Sequence, residues 1–132
     1  MLYVYNLALR ENSAKEWEKY DIGMFSTREL AEKTAERYLK EVKGFNNGNY
    51  SAVIKEMELL CVDGKIPDGE LYVFYGYDVN ENGDPVNTVV SGCYTKDMDI
   101  DGEYVDMQRA YGRSYWGTDD YIIDECQLSE GI

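Results

Sequence analysis

Short stretches of alternating apolar and polar residues, broken twice by stripes of helical period, lay out the chain from Leu2 to Leu128. Leu2–Leu9 is rich in Leu, Tyr and Val and reads as a strand. The polar turn Glu11–Lys15 leads to a second strand over Trp17–Phe25, which completes a hairpin. Ser26-Thr27-Arg28-Glu29 has the form of a capping box, with the Ser26 hydroxyl accepting from the Glu29 amide. A helix is expected from Thr27 to Lys43, because Leu30, Ala31, Thr34, Ala35, Tyr38, Leu39 and Val42 fall on one face. Glu29 and Lys33, and Glu36 and Lys40, are favourable pairs on its wet side. Gly44 stands where a left-handed cap is wanted. The turn Asn46-Asn47-Gly48-Asn49 precedes a third strand, Tyr50–Leu60.

Beyond a short linker or turn at Cys61–Glu70, the order recurs. Leu71–Val79 is a strand, Glu81-Asn82-Gly83-Asp84-Pro85 a hairpin turn with its Asn-Gly signal, and Val86–Tyr94 the return strand. Ile100, Tyr104, Met107 and Tyr111 predict a shorter helix near Met98–Tyr111, with Gly112 as its cap. Thr118–Leu128 reads as a closing strand. Three blocks keep one offset of 69 residues. Leu2-Tyr3-Val4-Tyr5 matches Leu71-Tyr72-Val73-Phe74, Gly23–Ser26 matches Gly92–Thr95, and Val53–Leu59 matches Ile122–Leu128. The expected fold class is therefore α+β: a tandem duplication of a β-β-α-β unit. It would form a mainly antiparallel six-stranded sheet with two helices on one face. The copies are 1–60 and 71–132, joined by 61–70. Each is small enough to be marginal alone, so one compact pseudo-twofold domain is expected.

The first copy resembles small bacterial domains of unknown function in which a strand ends in G-x-F-S and an Ala-rich amphipathic helix follows. The residues that carry the resemblance are Gly23-Met24-Phe25-Ser26-Thr27 and then Glu29, Ala31, Ala35 and Tyr38. The motif is a strand-to-cap junction and implies no catalytic residue. The second copy departs from it, with Asp97–Gly102 in place of the Glu/Ala helix start.

Charge separates the two halves. Residues 1–69 carry 10 Lys/Arg and 12 Asp/Glu, whereas residues 70–132 carry 3 and 14, so −11 of the net −13 lies in the second half. Such a surface repels nucleic acid and anionic lipid, which need Lys and Arg, and attracts basic partners. No basic segment or cleavage site marks a secretory signal, and no apolar run nears the roughly 20 residues that cross a bilayer. Cys61, Cys93 and Cys126 follow no ligand spacing. Cys93 and Cys126 fall where the first copy has Met24 and Met57, so buried, reduced thiols and a cytoplasmic location are expected.

The chain has no histidine, which removes the commonest general base and transition-metal ligand. No phosphate-binding Gly-rich loop is present. Asp97, Asp99, Asp101 and Glu103 match the first half of a calcium loop, in which alternate carboxylates converge on a hard cation. The match fails later, at Val105 and Gln108, so a calcium-binding module is an alternative reading with no cofactor as the first. Asp78-x-Asn80-x-Asn82 is a similar partial match better explained as a turn. A carboxylate-based enzyme site is a further alternative, open to any acidic chain. The remaining chemistry is recognition. Tyr104, Tyr111, Tyr115 and Trp116 stand among Asp97, Asp99, Asp101, Glu103, Asp106, Asp119 and Asp120, and aromatic rings among carboxylates suit Arg- or Lys-rich surfaces. The expected function is a non-catalytic acidic module that occludes a basic protein surface. Inhibitors, immunity proteins and DNA-mimicking anti-defence proteins share this composition. A sheet edge or a Tyr-rich face would also serve a homodimer.

Overall fold

A computed structural model of the chain describes residues 2–15, 18–60, 69–95 and 112–126. These residues form β1 (Leu2–Glu11), β2 (Tyr20–Phe25), α1 (Arg28–Glu41), β3 (Tyr50–Leu60), β4 (Glu70–Val79), β5 (Pro85–Thr95) and β6 (Tyr115–Ile122). The chain divides into two compact units. One comprises Tyr3–Met57 with Ile122–Ile132, and the other Glu58–Tyr121 with Met1–Leu2. Among the described residues, no helix is long and apolar enough to cross a membrane.

In the first unit the strand order is β2-β1-β3, with β1 and β2 antiparallel and Tyr5 opposite Phe25. The register shifts between Leu7 and Ala8, and Leu7, Ala8 and Leu9 are all buried in succession. A bulge explains this, since strict alternation would expose every second residue. The apolar stripe of α1 packs Ala31, Ala35, Tyr38 and Val42 with Leu7, Leu9, Ile22 and Phe25. Thr34 is buried on the same face, and its hydroxyl donates to the Leu30 carbonyl at 2.8 Å. Lys33 pairs with Glu29 and Lys40 with Glu36 on the exposed face, as their spacing predicts. A ring cluster of Tyr20, Tyr38, Phe45 and Tyr50 closes the C-terminal end of the helix, with Gly44 in the left-handed region (φ 97°).

In the second unit the order runs from the end of β3 through β5 and β4 to β6. Leu59 and Leu60 pair in parallel with Cys93 and Tyr94, while β4 and β5 are antiparallel. Leu71, Val73, Phe74, Cys93 and Tyr94 are buried, with Phe74 and Tyr94 edge to face at 5.1 Å. The β4–β5 turn is held by Asn80, whose Oδ1 accepts from the amides of Asn82 and Asp84 at 2.9 and 3.0 Å. The calcium-like spacing at Asp78–Asn82 is thus a hairpin turn, with Gly83 supplying the positive φ it needs.

The expected α+β duplication is corrected. The described residues are mostly strand, with one helix, and the ladder includes a parallel pair. The third repeated block shows where the expectation fails. Val53–Leu59 lies wholly inside β3, but in Ile122–Leu128 the strand ends at Ile122. The chain turns there: the Glu125 amide donates to the Ile122 carbonyl at 3.2 Å, and Asp124 adopts a left-handed backbone (φ 65°). The segment from Ile122 then joins the unit of the first copy, where Cys126 bridges Gly23. The helix expected near Met98–Tyr111 lies outside the described residues.

The cap is corrected as well. Thr27, not Ser26, caps α1, and its hydroxyl accepts from the Leu30 amide at 3.1 Å. Ser26 is engaged elsewhere: its amide and hydroxyl both donate to the Asp124 carboxylate at 2.8 Å. Of the cysteines, Cys93 is buried, Cys126 is only half-buried, and Cys61 lies outside the described residues.

Candidate functional site

Tyr75 and Tyr77 stand two residues apart on β4, and their rings meet although the β4–β5 register shifts between Gly76 and Asp78. Tyr115 and Gly117 stand two apart on the neighbouring β6. The Tyr77 and Tyr115 rings stack at 5.7 Å and 22°, and Tyr75 lies 5.9 Å from Tyr77 at 33°. The result is a ladder of three tyrosines across two strands, with Tyr115 48% exposed at its outer end. The stacked Tyr77–Tyr115 contact and the tilted Tyr75–Tyr77 one add to sheet stability and also present a broad π surface.

Gly117 makes the ladder possible. A Cβ there would meet the Tyr75 phenol, with Cζ and Cε2 2.5 and 2.9 Å away. Gly76, between the two β4 tyrosines, is covered by the Arg113 stem, whose Cβ and Cγ would lie 3.0 Å from an added methyl. The Arg113 Nε donates to the Asn87 carbonyl at 2.7 Å, and Asn87 holds a left-handed backbone (φ 56°) to offer it. Asp78 accepts from the Ser114 amide at 3.1 Å and fixes the entry to β6.

Electrostatics sharpen the site. Partial burial, then the Asp119 charge and Tyr77, push the Tyr75 phenol above its usual range. At neutral pH it is therefore an uncharged ring and hydroxyl. Partial desolvation, reinforced by Asp120, pushes the Asp119 carboxyl up. Asp119 nevertheless stays solvent-exposed, as does Asp120. Adjacent strand residues point to opposite faces, so the two carboxyls do not converge on one point, although the Asp120 charge still acts on Asp119.

Four of the sequence-predicted residues, Tyr115, Trp116, Asp119 and Asp120, belong to this strand. Asp97, Asp99, Asp101, Glu103, Tyr104, Asp106 and Tyr111 lie outside the described residues. Among the described residues, no group of three Cys, Asp or Glu is arranged to hold a metal ion. Tyr75 and Tyr77 were not singled out from sequence, because tyrosines inside a strand read as sheet packing. Their signal was the pairing of Tyr75-Gly76-Tyr77 with Tyr115-Trp116-Gly117, in which each segment offers a glycine beside its aromatics. No family model, curated protein or solved structure matches the chain.

Proposed function

We propose that the chain is a non-catalytic acidic binding module that covers a basic protein surface, as an inhibitor, immunity or anti-defence protein does. The observation that carries this reading is the Tyr75–Tyr77–Tyr115 ring ladder beside Asp119, within a stretch of 3 Lys/Arg and 14 Asp/Glu. A guanidinium can lie against a tyrosine ring while donating to a neighbouring carboxylate. Excess negative charge around the site speeds encounter with a cationic partner.

The test is calorimetry with a synthetic peptide of alternating Arg and Thr and its citrulline counterpart, which keeps the shape and removes the charge. The Arg peptide is expected to bind and the citrulline peptide to fail. Affinity should fall steeply as salt rises from about 0.05 to 0.5 M. Tyr115→Ala should weaken binding about fivefold, the worth of one exposed cation–π contact. Equal binding of both peptides, or a Tyr115→Ala protein indistinguishable from wild type, would remove the ladder from recognition.

A further inference from the structure

We infer that β6 takes up an extended, Arg-rich segment of the partner as an added strand; this rests on the binding role proposed above and specifies its mode. Among the described residues β6 is the terminal strand of its unit, hydrogen-bonded to β4 on one side. A terminal strand presents alternate amides and carbonyls along its other side, a template for a further strand. Edges are usually blunted by Lys, Pro or a very short strand. β6 has 8 residues, Tyr115-Trp116-Gly117-Thr118-Asp119-Asp120-Tyr121-Ile122, with no Lys and no Pro.

Its charges choose the occupant. Asp119 and Asp120 are both acidic, so pairing β6 with a second copy of itself would bring like charges together. A basic strand meets the opposite situation. Tyr115, Gly117 and Asp119 recur at period two along one face, the period at which a neighbouring strand displays its own side chains. An added strand with arginines at alternate positions would set one beside the exposed Tyr115 ring and another beside the Asp119 carboxylate. Gly117, lacking a side chain, is covered by the Tyr75 ring, so the arginine between these two would meet that ring.

Backbone methylation of the ligand tests this without altering the protein. The alternating Arg/Thr peptide is made in two N-methylated forms, one methylated at every Arg and the other at every Thr. In strand addition only one set of amides faces β6. One form should therefore lose affinity about tenfold or more while the other is tolerated. The backbone amides of β6 should also gain protection from hydrogen exchange when the unmodified peptide binds. Equal affinities for the two methylated forms overturn strand addition and leave charge recognition by the ladder standing. No binding of the unmodified peptide even at low salt overturns both.

Discussion

A single missing side chain, at Gly117, lets Tyr75 lie across the β6 backbone. Gly117→Ala would drive its methyl into the phenol. Because the ring can swing away, stability should fall only modestly, by about 1–3 kcal/mol in urea unfolding, while the Arg peptide binds several-fold more weakly. Unchanged affinity would separate ring position from recognition. Gly23→Ala differs in kind. Its methyl would meet the Glu125 backbone carbonyl at 2.6 Å, and a backbone cannot swing aside. A loss of about 3 kcal/mol or more, with the Arg-peptide affinity retained, is expected. Asp119 gives a test of opposite signs. Its folded carboxyl titrates above the usual range, so the fold favours its protonated form. That contribution is present below the unfolded value and is lost as pH rises through the raised folded one. The ionised group therefore costs stability at neutral pH. Asp119→Asn should unfold at higher urea than wild type at pH 7, with the gap closing as both are acidified, yet bind the Arg peptide less well. A neutral-pH loss of stability in this variant would contradict the sign. Cys93 is buried and its thiol is pushed up to about 12 by desolvation, so it should resist thiol reagents until the protein unfolds.

Strands and helix were legible because their patterns are strong: an i, i+3, i+4 stripe and alternating Tyr and Val leave few alternatives. Junctions were less so. The capping-box spacing fits Ser26, but a carboxylate almost a hundred residues downstream captures that side chain and Thr27 takes over the cap. Nothing local to Ser26 encodes Asp124. Thr27→Ala should therefore cost about 1 kcal/mol through helix fraying, seen as lost amide protection in the first turn. The matched blocks Val53–Leu59 and Ile122–Leu128 share apolar spacing yet differ in backbone, because a single left-handed Asp124 redirects the second. Spacing constrains which face is buried, not where a strand stops.

At the scale of the whole chain, the uneven charge was visible directly, and it is what the proposal of a cationic partner starts from. The arrangement of rings was not visible. Tyr75, Tyr77 and Tyr115 come from strands 40 residues apart, and stacking depends on a register that only tertiary pairing sets. Of the sequence-predicted site, β6 carries Tyr115, Trp116, Asp119 and Asp120, while Tyr75 and Tyr77 on β4 carry no local signal beyond that of sheet packing. What separates a built site from diffuse acidity is where a cationic ligand goes. The most direct measurement is an NMR titration of the full, isotope-labelled chain with the alternating Arg/Thr peptide at moderate salt. Saturable shifts should concentrate on Tyr75, Tyr77, Tyr115, Gly117 and Asp119. Small, unsaturated shifts spread over the chain's 26 Asp and Glu, with the tyrosine rings unmoved, would contradict a recognition site on the ladder.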